Sequence, residues 1–148
     1  MVPKKIILSF LLFLLASSIF AQTEKGFDNH FSIIPQPLFV KGTVGDFIIG
    51  KNTRIYVDGN QKSLRKIGEM LSAQLKMETG YDVSVNENFG DPKGNAIILT
   101  GKNVMDTLGT EGYNLSVHPG KVMIKSIHPA GVFYGMQTLL QLLPVKSE

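Results

Sequence analysis

The run Ala96-Ile97-Ile98-Leu99 is apolar at every position. A strand with one wet face alternates apolar and polar residues, so a run without alternation reads as a central strand covered on both faces. The rest of the chain must supply neighbours for it. No cysteine is present among the 148 residues, so no disulfide contributes and stability rests on one packed core. The length suits a single small domain, and a 43% hydrophobic content can fill its interior.

Flanking patterns supply the neighbours. Phe47 and Ile49 alternate with Asp46 and Ile48, and Ile55 and Val57 alternate with Arg54 and Tyr56. With Gly50-Lys51-Asn52 between them, these segments predict two short strands around a turn. Val83-Ser84-Val85 reads as a further strand. Tyr113, Leu115 and Val117, then Val122 and Ile124, alternate with polar residues on either side of Pro119-Gly120. Proline and glycine stand where the centre of a type II turn needs them, so this is a hairpin with one wet face.

Two helices are legible. From about Gln61 to Thr79, Leu64, Ile67, Leu71 and Leu75 recur at steps of three and four, with Met70 reinforcing the stripe. Gly80 is placed to end the helix in the left-handed conformation. The second begins with Pro129 in its first turn, carries Val132, Phe133, Met136, Leu139, Leu140 and Leu143 on a broad apolar face, and stops at Pro144. Strands, helix, strands, hairpin and helix in that order imply an α+β fold, a small mixed β-sheet with two main helices packed mainly on one face.

The N-terminus follows another logic. Lys4 and Lys5 precede an uncharged run from Ile6 to Leu15, which ends in the small-residue stretch closing at Ala21. That is the pattern of a secretory signal peptide over residues 1–21, and the run is short of the ~20 apolar residues of a membrane span. Export to the periplasm or the medium is expected, with no membrane attachment after cleavage. Residues 22–32 are polar and aperiodic and read as a flexible leader, followed by one domain over 33–148. Without Lys4 and Lys5, 13 basic residues face 12 acidic ones. No clustered basic face remains to hold nucleic acid.

Several segments resemble the N-terminal domain of family 20 glycoside hydrolases, the β-N-acetylhexosaminidases. They are the proline strap Ile33-Ile34-Pro35-Gln36-Pro37, the helix end Glu78-Thr79-Gly80-Tyr81, the strand Ala96–Leu99, Glu111-Gly112-Tyr113-Asn114-Leu115-Ser116-Val117, and Val122-Met123-Ile124-Lys125-Ser126. The most specific is the run from Gly131 to Pro144, which reads GxFYGxQTLxQLLP. The resemblance implies a fold like the zinc proteases in outline, here without a zinc motif. It also implies a parent enzyme that removes terminal N-acetylhexosamine from glycans by using the substrate's acetamido group as nucleophile, one of the exceptions to the two-carboxylate scheme. In that family an adjacent Asp-Glu pair does the chemistry in a TIM barrel of about 250 residues, which follows this domain. No Asp-Glu dipeptide occurs here, so no catalytic residue is carried over, and the chain by itself is expected to be inactive.

Other chemistry finds little support. His30, His118 and His128 are scattered and lack the i, i+4 spacing of a helical metal site. Asp82, Glu87, Asp91 and Glu111 have no partner in sequence and read as solvated charges. Gly101-Lys102-Asn103 lacks the glycine spacing of a phosphate loop. No cofactor or metal is expected. Tyr134, Gln137, Thr138 and Gln141 instead form an uncharged polar stripe on the last helix, where Gly131 and Gly135, four apart, permit close approach. This stripe is the candidate interface with the catalytic TIM-barrel domain; the plainer alternative is a solvent face whose glycines tighten packing on the sheet. A different class of function, a stand-alone periplasmic module binding glycans or protein, would require Tyr56, Tyr81, Tyr113 and Tyr134 to share one surface.

Overall fold

A computed structural model describes residues 31–144, apart from 60, 88, 89, 91, 93, 105 and 106. The signal-peptide segment and most of the leader lie outside the described residues, as do His30 and Asp91.

The sheet has five strands: β1 (Arg54–Val57), β2 (Ser84–Glu87), β3 (Ala96–Thr100), β4 (Asn114–His118) and β5 (Lys121–Lys125). Their order is β2-β1-β3-β5-β4. β1 runs parallel to both β2 and β3, and β3 runs parallel to β5. Only the β4–β5 hairpin is antiparallel, turning at Pro119-Gly120 with Gly120 at φ 75°. β3 is thus the middle strand, and all five of its residues are buried. The sheet is mixed, and the two helices contact each other across one of its faces.

Helix α1 (Lys62–Thr79) buries Leu64, Ile67, Leu71 and Leu75 against that face. Gly80, at φ 78°, closes it by donating its N–H to the Lys76 carbonyl at 2.8 Å. Gly68 is buried in the same stripe. A Cβ there would lie 3.1 Å from both Val57 and Val85, so its absence sets how closely the helix approaches β1 and β2. Ser72 donates to the Val83 carbonyl, tying the helix to the chain entering β2. Helix α2 (Pro129–Gln141) adds Val132, Met136 and Leu139 to the core.

One expected element is absent. Residues 46–49 form no strand, although Phe47 and Ile49 do turn toward the core while Ile48 is exposed. The alternation of faces was legible, but a strand also needs a backbone partner. Both edges of β1 are taken, by β2 and by β3. The Ile48 carbonyl instead accepts from the side chain of Asn95 at 2.8 Å, and the turn before β1 is closed by Thr53, which accepts from the Gly50 N–H.

Candidate functional site

The last helix is positioned by what its residues lack. β5 ends at Lys125, and Ser126 follows, buried, donating its hydroxyl to the Gly112 carbonyl at 2.7 Å. Pro129 then opens α2 where no intrahelical N–H is needed. A Cβ on Gly131 would collide with Ser126 Oγ and the Gly112 carbonyl, and one on Gly135 would stand 2.5 Å from Ile124. The close approach these glycines permit is therefore made by the chain's own β5 and the segment before β4. Tyr113 packs beside Gly135 and hydrogen-bonds Thr138 at 2.5 Å.

The four residues of the polar stripe consequently divide. Thr138 is buried at 7% exposure and belongs to the inner side of the helix. Tyr134 is exposed, with its ring edge-on to Phe133 at 5.8 Å. Gln137 is exposed too. Gln141 is engaged: its side-chain oxygen accepts from the Ile34 N–H at 2.8 Å and its amide donates to the Ile34 carbonyl at 2.9 Å. A glutamine amide presents one donor and one acceptor side by side, so it holds the strap as a neighbouring strand's peptide group would. Helical spacing alone could not separate these fates, because the depth of the helix depends on the two glycines.

The proline strap continues without regular structure as far as Ile48; residues 34–48, the strap from here on, start with a cis Ile34–Pro35 bond. It is fastened at three places: Ile34 to Gln141, Gly45 against the Pro119 ring, and Ile48 to Asn95. Between these points Leu38, Phe39 and Val44 are more than 80% exposed.

The other candidate groups do not converge. His118 ends β4 and is exposed, while His128 precedes α2. Among the described residues, no three His, Cys, Asp or Glu side chains stand close enough to hold a metal ion. Asp82 pairs with Lys76 at 2.6 Å and Glu87 with Arg65 at 2.6 Å. The tyrosines are dispersed: Tyr56 in β1, Tyr81 past the end of α1, Tyr113 packed beneath α2, and Tyr134 on its outer side.

Sequence reasoning missed Asp58, the buried carboxylate directly after β1. It accepts from Thr100 Oγ1 at 2.7 Å and the Gly101 N–H at 3.0 Å, and pairs with Lys102 at 3.1 Å. Burial pushes its pKa up, but the hydrogen bonds from Thr100, Gly101 and Lys102, with the lysine's charge, hold it below the usual carboxylate value. The clip joins the ends of β1 and β3. It also fills the Gly101 amide, the donor that a phosphate loop would need.

Known proteins place this architecture. Residues 30–148 match the family model described as glycosyl hydrolase family 20, domain 2. The chain is 37% identical over 125 residues to a β-hexosaminidase of Porphyromonas gingivalis, a match covering 82% of this chain and 15% of that protein. Among solved structures, the β-N-acetylhexosaminidase of Streptomyces coelicolor A3(2) superposes with a TM-score of 0.56 at 35% identity, covering 65% of this chain and 18% of that one. The exo-β-N-acetylglucosaminidase of Vibrio harveyi shares the fold, with a TM-score of 0.61 at 20% identity over 77% of this chain and 16% of that one. In each case the chain spans less than a fifth of its relative's length. A match over this many residues, with the relatives agreeing, identifies the chain as a member of glycosyl hydrolase family 20 that carries the family's domain 2.

Proposed function

We propose that this chain contributes a non-catalytic domain that buttresses the catalytic TIM barrel of an exported β-N-acetylhexosaminidase, and that it turns over no glycoside by itself. The observation carrying this reading is the pairing of a domain 2 match over residues 30–148 with coverage of only 15% and 18% of the relatives' lengths. The acids of the chain agree with it. No Asp-Glu dipeptide occurs. Asp58, Asp82 and Glu87 are each paired with a lysine or arginine, and Glu87 shares its arginine, Arg65, with Glu69.

The domain's contact with terminal N-acetylhexosamine glycans then runs entirely through the parent enzyme. The exposure of Tyr134 and Gln137 supports them as the stripe residues that meet the barrel in this reading, with Gln141 holding the strap beside them and Thr138 fixing the helix from within.

The test is an assay of the purified chain from Gln22 onward against a chromogenic N-acetyl-β-glucosaminide. The full-length Porphyromonas gingivalis enzyme serves as positive control. Absence of turnover is the expected result. Turnover that survives repurification and co-elutes with the chain would sink the reading, because it would place the chemistry in a sequence without an Asp-Glu dipeptide.

A further inference from the structure

The largest exposed apolar side chains are not spread over the molecule. Ile34, Leu38, Phe39, Val44 and Ile48 are 73% to 107% exposed, whereas no large apolar residue elsewhere among the described residues exceeds Met77 at 62%. All five lie in the strap. A monomer seldom leaves a contiguous apolar patch uncovered, and such a patch marks an interaction surface.

The strap is also held in place. Gln141 grips both backbone groups of Ile34, Asn95 grips the carbonyl of Ile48, and Gly45 sits against Pro119 where a Cβ would stand 2.6 Å from the ring. These anchors have a common location. Asn95 precedes β3, Pro119 precedes β5, and Gln141 ends α2, a helix that starts at the far end of β5 beside Ser126. The strap therefore crosses the end of the sheet where the parallel strands begin. The chain leaves α2 at that same end.

Resting on the role proposed above, we infer that the strap from Ile34 to Ile48 is the seat of the parent enzyme's catalytic domain. Two features commit the surface to that occupant. Ile34, where the strap starts, is clamped to Gln141 at the end of α2, three residues before Pro144, so a domain joined after that helix meets the strap without a long linker. The Gln141 clamp also joins the strap to the outer side of α2 that carries Tyr134 and Gln137, giving one continuous surface.

The test uses a full-length chimera in which residues 31–144 replace the matching segment of the Porphyromonas gingivalis β-hexosaminidase. Leu38→Glu with Phe39→Glu is compared with Leu108→Glu, the same kind of change on an exposed apolar residue in the loop between β3 and β4. The strap pair is expected to lower the chimera's Tm by at least about 3 °C or to split its single unfolding transition, while the urea midpoint of the isolated chain stays put. Leu108→Glu should leave the chimera unchanged. Equal behaviour of the two variants would overturn the assignment of the strap while leaving the buttress standing. If deleting the whole domain changes neither Tm nor turnover, the buttress falls and the seat with it. If instead the isolated chain dimerises, and the strap pair dissolves that dimer without touching the chimera, the occupant is a second copy and the assignment is wrong.

Discussion

β3 and the strap are both rich in large apolar residues, yet β3 is wholly buried and the strap holds the most exposed large apolar side chains among the described residues. Their difference lies in the backbone. β3 has a parallel strand on each edge, so its peptide groups are satisfied and either face can be covered. The strap has no ladder. Its described anchors are side-chain amides, one proline contact and the inward-turned Phe47, which fix a path but leave the other large apolar side chains uncovered. Apolar content thus says which segments want covering; free strand edges decide which of them the domain itself can cover.

Replacing one side chain in each region gives the largest contrast. Ile97→Ala in β3 should cost about 2–4 kcal/mol through lost burial and a cavity, and Leu38→Ala close to nothing, as read from urea midpoints of the chain. Equal losses would show that the strap is already packed. Next in size is overpacking beneath α2. Gly135→Ala puts a methyl against Ile124 and Tyr113 and should cost about 1–3 kcal/mol. Because α2 also carries the strap's clamp, faster proteolysis between Ile34 and Ile48 should accompany that loss.

The Asp58 clip sharpens the same contrast from the far end of β3. Its folded-state pKa lies below the ordinary 3.8, so its stabilisation is whole above that value and is lost as pH falls through the lowered folded value. Asp58→Asn should cost about 1–3 kcal/mol at neutral pH and flatten the acid limb of a stability–pH curve, leaving strap proteolysis unchanged. Gln141→Ala is the smallest change, under about 1 kcal/mol for exposed hydrogen bonds. Amide exchange at Ile34 should rise, and exchange within β3 should not.

Much of the frame was legible. Periodicity marked α1, α2, the hairpin and the central strand, because those patterns report burial that the structure makes; Met70, counted in the α1 stripe, is the exception and lies 47% exposed. The strand expected at residues 46–49 failed for a reason alternation cannot express, since both edges of β1 were already claimed. The polar stripe was half legible: Tyr134 and Gln137 face outward, but Thr138 sinks because Gly131 and Gly135 let α2 settle toward β5. Asp58 escaped notice because its partners, Thr100, Gly101 and Lys102, are more than forty positions away, as the 43-residue separation to Gly101 shows. No local motif announces a pairing made by parallel strands.

That parallel order has a consequence for biosynthesis. A chain leaving the ribosome N-terminus first completes β1, α1 and β2 before β3 appears, and β3 can then pair with β1. Its other edge has no partner until Lys121–Lys125 has also emerged. At about 5–20 residues per second this leaves an open apolar strand edge for an interval on the order of seconds, the kind of edge on which nascent chains aggregate and holding chaperones act.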